Sequence, residues 1–252
     1  MALLRFGGDV SDTAEPGGSA SRDDRGLLAV ADAAVALVPD GATIGLGTGR
    51  AAAAFIAALG ERVRAGLRVV GVPTSNASAA QARTLGIPLA DLGDASELAL
   101  TVDGADEVAP NLDLVKGWGG ALLRERIVAA ASQRQVILVG PEKLVRSLGE
   151  RGRIPLEVIP FARAIVLRRV AALGLTPAVR VGDDGVTPVP TDDGNVTVDC
   201  TPRMPLADPR AARDLETELR RIPGVVDTGL FLGTAERVLV GHPDGRVDVR
   251  TR

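Results

Sequence analysis

The chain has 252 residues, 46% apolar and 24% charged but only 2% aromatic, with no tyrosine and a formal net charge of −3. Such a composition implies a folded core of Ala, Leu, Val and Ile, and it disfavours a general nucleic-acid or anionic-membrane binder. A single cysteine, Cys200, and a single histidine, His242, exclude a disulfide framework and the usual zinc site, so a reducing cytoplasm and no metal are expected.

Residues 1–22 are rich in Gly, Ser, Asp and Ala without periodicity and read as a loosely attached tail. Met1 to Phe6 is too short an apolar stretch for a secretion signal, and no segment reaches the ~18 apolar residues of a membrane span. Asp23 and Asp24 precede an amphipathic helix over 27–37, stopped by Pro39-Asp40-Gly41. A strand over 42–46 then turns through Gly47-Thr48-Gly49-Arg50 into a helix over 51–59. Strand, glycine turn and helix amino terminus together form an anion site, to which Arg50 adds a charged donor. The glycines at 45, 47 and 49 miss the dinucleotide spacing, and no acid ends the next strand, 67–72, so NAD is disfavoured and a small phosphorylated ligand fits better. Thr74-Ser75-Asn76 caps a helix over 77–85, and 86–92 reads as another short strand.

The densest stretch is Thr101 to Arg126. An apolar run over 98–102 leads directly into Asp103, as a buried parallel strand ending at the sheet's carboxyl edge. Asp106, Glu107, Lys116, the loop Gly117-Trp118-Gly119-Gly120 and Glu125 follow, the last on a helix over 121–131. Carboxylates beside a lysine, around a loop that admits close approach, suit proton transfer with a cation for the charge that develops. A strand over 136–139 then places Lys143 near the same edge. To about residue 150 the alternation of strands and helices implies a parallel sheet with right-handed crossovers. Beyond Gly152 the pattern becomes a small α+β unit: an extended segment at 155–160, helices at 162–173 and 209–221, and strands at 178–181, 186–189, 196–200 and from 225. Segments 230–231 and 237–241 are expected to rejoin the first sheet.

Seven segments, in order, resemble ribose-5-phosphate isomerase of the A type: GLGTG at 45–49, PTSN at 73–76, VDGADEV at 102–108, KGWGGALLRE at 116–125, IPLEVIPFA at 154–162, TDDGN at 191–195 and IPGVVDTGLF at 222–231. The resemblance implies an α/β fold with a Rossmann-like domain (23–152, closed by 229–252) and an inserted ferredoxin-like lid (153–228), assembled as a homodimer or homotetramer. It also implies interconversion of ribose 5-phosphate and ribulose 5-phosphate through an enediolate, with no cofactor. By position, Glu125 matches the general base and Lys116 the cation that stabilises the enediolate. Asp103 matches the acid assisting ring opening, and Asp106 an acid that orients the sugar hydroxyls. Gly47, Thr48, Gly49, Arg50, Gly117, Gly119 and Lys143 fall in the substrate-binding loops.

The sequence departs from the family where Arg50 and Ala51 replace a usual Ser-Thr, where Trp118 enters a loop of small residues, where Gly140-Pro141-Glu142 precedes Lys143, and where Asp193 replaces an Asn. Leu27 falls near the place of a usual lysine. These changes bear on phosphate handling, with Arg50 expected to take over the lost hydroxyl contacts. Isomerisation of a different aldose phosphate, or sugar-phosphate binding without catalysis, are the alternative readings.

Overall fold

In the computed structural model of the chain, residues 22–95 and 97–252 are described. The expected tail, 1–22, lies outside the described residues except for Arg22, which opens helix α1 (Arg22–Val35). Strand β1 (Ala42–Leu46) runs parallel to both β2 (Val69–Pro73) and β3 (Leu100–Gly104). Helices α2 (Arg50–Arg64) and α3 (Asn76–Thr84) make the two crossovers. Ser75 caps α3 by accepting the Ser78 N–H at 3.1 Å, as its sequence predicts.

After β3 come two short paired strands, β4 (Glu107–Val108) and β5 (Leu114–Val115), then α4 (Leu122–Ala130) and β6 (Gln135–Val139), which lies parallel to β3. The next six elements are β7 (Ile154–Val158), α5 (Arg163–Ala172), β8 (Leu175–Val179), β9 (Val196–Pro202), α6 (Pro209–Arg220) and β10 (Val225–Thr228). Their four strands form an antiparallel sheet in the order β10-β7-β9-β8, the ferredoxin-like arrangement. The chain ends with β11 (Leu230–Phe231), β12 (Arg237–Gly241) and β13 (Val247–Thr251). β12 joins β6 in parallel and β13 closes the edge antiparallel, giving a six-stranded sheet ordered β13-β12-β6-β3-β1-β2.

The central strands β3 and β6 are buried along almost their whole length, as parallel strands covered on both faces must be, with Thr101, Asp103 and Gln135 as their polar members. Ile44, Leu46, Phe55, Ile56, Leu100 and Val136 fill the core between that sheet and its helices. A second core, built on Leu156, Val166, Val198 and Leu219, belongs to the four-stranded sheet. Among the described residues no helix is long and apolar enough to cross a membrane.

Three expected elements come out differently. The segment 86–92 forms only a bridge from Leu89 to Gly71 and then a 3-10 turn, Leu92–Asp94, because Pro88 has no N–H to continue a ladder. Likewise 186–189 makes only the bridge from Pro188 to Val181, with Pro190 bridging Val196 just beyond; the two prolines interrupt donation there. β11 does not rejoin the large sheet. It pairs with β5, giving a separate three-stranded sheet ordered β11-β5-β4.

Strand order places the chemistry. The chain leaves β1 for β2 on one side and returns to β3 on the other, so the crevice beyond the carboxyl ends of β1 and β3 is a topological switch point. Thr48 and Gly49 follow β1, and Asp103 is the penultimate residue of β3. The small sheet is tied to the same place through α4. Arg126 pairs with Asp227 at 2.9 Å and donates to the carbonyls of Thr228 and Leu230 at 2.8 and 2.7 Å, with its guanidinium 4.1 Å from the centre of the Phe231 ring.

Candidate active site

At the switch point a lysine is buried between two carboxylates. Lys116, directly after β5, is 2% exposed, and its backbone N–H donates to Gly229 O at 2.9 Å. Its ammonium lies 2.9 Å from Asp103 Oδ2 and 3.3 Å from Glu125 Oε2, and donates to the Gly104 carbonyl at 2.5 Å. Asp103 is also held from behind: Oδ1 accepts the N–H groups of Thr48 at 3.1 Å and Gly104 at 2.7 Å. Gly47 explains how the carboxylate fits, since a Cβ there would lie 2.3 Å from Asp103 Cγ. Any side chain at 47 would displace that carboxylate.

Glu125 stands in the first turn of α4. Its Oε2 meets Lys116 at ion-pair distance but makes no hydrogen bond among the described residues, leaving a buried acceptor open. Burial, followed by the negative charge of Asp103, pushes its carboxyl up to about 8, against the pull of Lys116. Lys116 moves the other way from a buried lysine on its own. Desolvation lowers its affinity for the proton, but Asp103 and Glu125 together outweigh that and the net shift is upward, so it stays an ammonium. Asp106 accepts the Trp118 N–H at 2.9 Å; its carboxyl is raised by burial, with that N–H and the nearby Lys116, Lys143 and Arg153 pulling against it.

These groups open onto a cleft of about 610 Å³, the size of a small-molecule site. Of the residues singled out in the sequence, Thr48, Gly49, Arg50, Asp106, Lys116, Gly117, Gly119, Glu125 and Lys143 line it. Asp103 and Gly47 do not: Asp103 is 1% exposed and stands behind Lys116, and Gly47 stands behind Asp103. Gly117 has φ 101° and a Cβ there would come within 2.8 Å of Leu122, so this glycine is required by the turn. Among the described residues no group of three or more His, Cys, Asp or Glu is placed to hold a metal ion.

Two features escaped the sequence. Arg151 lines the cleft, brought there because Glu107 accepts the backbone N–H groups of Gly149 and Arg151 at 2.5 and 2.6 Å. The acid next to Asp106 is therefore a loop anchor, and a Gly-Glu-Arg-Gly surface turn carries no local signal for a ligand group. The other is a clasp from the small sheet. Arg124, one residue before Glu125, binds Asp193 at 2.7 and 2.9 Å, while Asp192 accepts the Asn76 N–H at 2.7 Å. The turn carrying both acids is fixed in turn by buried Glu157, which accepts from Thr191 and Asn195.

The chain matches the family model of ribose 5-phosphate isomerase A (phosphoriboisomerase A) over residues 70–245. A ribose-5-phosphate isomerase A of Gloeobacter violaceus is 48% identical over 219 residues, covering 86% of this chain and 92% of its own. The Haloarcula marismortui protein of the same name is 45% identical over 228 residues, covering 90% and 96%. Among solved structures, ribose 5-phosphate isomerase A from Methanocaldococcus jannaschii superposes with a TM-score of 0.85 at 42% identity, covering 91% of this chain and all of its own. A D-ribose-5-phosphate isomerase in complex with phospho-erythronic acid gives the same score at 37% identity, covering 91% and 98%.

The raised carboxyl of Glu125 sets a pH dependence. If this group must be ionised to act, kcat/KM rises with pH below about 8 and levels off above it. Stability runs the opposite way. Between its ordinary value of 4.5 and about 8 the folded chain holds a proton that the unfolded chain has released, so this group makes folding less favourable as pH rises through that window. A kcat/KM profile that is flat from about pH 6 to about pH 9, from roughly two units below that value to roughly one above, would show that the rate does not depend on this carboxylate's ionisation.

Proposed function

The chain belongs to the ribose 5-phosphate isomerase A family and interconverts ribose 5-phosphate and ribulose 5-phosphate, and we propose that Glu125, Lys116, Asp103 and Asp106 carry that reaction. The observation that supports the assignment is the buried Lys116 ammonium lying between the carboxylates of Asp103 and Glu125. In the open-chain aldose the proton on C2 is acidified by the adjacent carbonyl. Glu125, whose carboxylate lines the cleft, takes that proton, and the electron pair forms the C1–C2 double bond while the carbonyl oxygen becomes negative. Lys116 faces that oxygen, in a desolvated setting where its charge is worth most. Glu125 then returns its proton to C1, the electrons on O2 form the new carbonyl, and the hydroxyl proton of O2 passes to O1.

A carboxyl near 8 is a stronger base than an ordinary glutamate once ionised, which favours taking a proton from carbon. Asp103, directly behind Lys116, is the group with which the lysine exchanges the oxygen proton during ring opening. Asp106 on the cleft wall orients the sugar hydroxyls. Thr48, Gly49 and Arg50 meet the phosphate at the start of α2, where backbone N–H groups point outward.

The first test is isomerisation of ribose 5-phosphate in the presence of EDTA. Wild-type activity is expected to persist, and Glu125→Gln is expected to lose most of it, on the order of 10³-fold or more as for a general base and its shared proton steps. Robust activity in the Gln variant would move the base to Asp103. In the same assay Arg50→Ala should raise KM more than it lowers kcat, because phosphate binding is mostly shared by ground and transition states; an unchanged KM would remove Arg50 from the phosphate site.

We also propose that the protein assembles with copies of itself through the small sheet. Phe161 is fully exposed there, beside Ile159 and Val226, which are 47% and 38% exposed on adjoining strand ends. An apolar cluster of this kind marks an interaction surface. Light scattering after gel filtration should give an oligomer for the wild type and a smaller species for Phe161→Asp; equal masses for the two would rule this surface out.

A further inference from the structure

Three cations face the indole of Trp118. Arg153 lies 4.7 Å from the ring centre, Arg151 5.5 Å and Lys143 5.7 Å. They are not equivalent. Arg153 is turned to Asp199 at 3.4 Å and is absent from the cleft wall, whereas Lys143 and Arg151 both line the cleft. Arg151 spends one terminal nitrogen on the backbone carbonyls of Glu142 and Asp106, at 3.0 and 3.3 Å. Its other guanidinium nitrogens, and the Lys143 ammonium, meet no carboxylate among the described residues. Glu142 and Asp106 are acids of the same wall: Asp106 is near enough for Lys143 to pull its carboxyl down, and the Glu142 carboxylate occupies the space where a Cβ on residue 140 would stand.

Trp118 itself is held at both ends of its residue. Its backbone N–H donates to Asp106 at 2.9 Å and its indole N–H to the Arg153 carbonyl at 3.1 Å. A ring fixed in this way is a platform on which two flexible cations are held at defined positions, and the face of tryptophan is the best of the aromatic faces for that purpose. Two cations in no ion pair among the described residues, gathered on one wall of a small-molecule cleft, form an anion site of the kind a phosphate monoester fills.

We infer that Arg151, with Lys143, joins Arg50 in binding the substrate's phosphate and that Trp118 is the positioning residue that presents Arg151 and Lys143 to it. This deepens the isomerase reading and rests on it for the identity of the anion. The two cations hold the far end of the sugar phosphate while the reacting carbons lie at Lys116 and Glu125. Their contribution is equal in ground and transition states, so it appears in KM and in affinity for free phosphate, and leaves kcat in place.

The experiment compares wild type, Arg151→Ala, Trp118→Ala and Trp118→Phe, measuring kcat and KM for ribose 5-phosphate and the inhibition constant of inorganic phosphate. Arg151→Ala should raise KM and the phosphate constant by about tenfold, the loss of a charge-assisted contact. Trp118→Ala should raise both by about threefold, the scale of a partly exposed cation–ring contact. Trp118→Phe keeps a ring face and loses the indole N–H, so it should stay near wild type. Unchanged KM and phosphate constants in Arg151→Ala, or a fall confined to kcat, would overturn the inference. So would Trp118→Phe failing as badly as Trp118→Ala, which would make Trp118 a packing residue. Calorimetric titration of inorganic phosphate into the same four proteins reads the site without turnover. If the wild type fails to isomerise ribose 5-phosphate, the isomerase reading falls, while phosphate binding that weakens in Arg151→Ala still upholds the cation site.

Discussion

A single ammonium taken out of water governs this structure. Burying a lysine alone is costly, and the fold meets that cost with two carboxylates and a carbonyl around Lys116. Two acids to one base leave the cluster short of positive charge. Asp103 has the better compensation, with two backbone N–H groups in addition to the lysine. Glu125 has only the lysine, at a longer distance and without a hydrogen bond. The imbalance falls on Glu125, and this is why a glutamate on the first turn of a helix, where the macrodipole favours its charge, still holds its proton to about 8. The shortage that makes such a carboxyl costly to ionise also makes its ionised form the stronger base.

The cluster draws on all three sheets. β3 supplies Asp103 and the carbonyl of Gly104, the three-stranded sheet places Lys116 beside β11, and the four-stranded sheet controls α4. That control is exerted by the two neighbours of Glu125 in sequence. Arg124 reaches the turn at 192–193, and Arg126 reaches Asp227 and the start of β11. Glu125 lies between two arginines that both grip the smaller unit, so the orientation of its carboxylate follows the placement of that unit. Buried Glu157 then fixes the turn from the other side.

Much of this was readable from local chemistry. An apolar run ending in Asp103 and a glycine turn before α2 specify a parallel sheet edge, and the acids and lysine of one dense stretch do meet there. The sequence misjudged segments whose hydrogen bonding depends on what is missing. Pro88 and Pro188 sit in apolar stretches that look like strands, and each leaves only an isolated bridge. β4, β5 and β11 are two residues long, shorter than any periodicity can register, and they exist because distant segments meet. Side-chain roles followed the same division. Glu125 and Lys116 stand in a dense motif, whereas the placement of Arg151 depends on Glu107, 44 residues earlier in the chain. Nor does the sequence show that Asp103 stands behind Lys116 and off the cleft wall, which follows from the space Gly47 leaves.

Trp118 is the only tryptophan, and the chain contains no tyrosine. Its ring stands beside the cleft under three positive charges, with the indole N–H committed to a backbone carbonyl. Near-ultraviolet fluorescence from this protein therefore originates in one side chain packed against two cations of the cleft wall. An anion that neutralises or draws away those cations changes the electric field across the emitting ring, and no other indole or phenol dilutes the signal. The unmodified enzyme thus carries a built-in optical gauge of charge in its cleft.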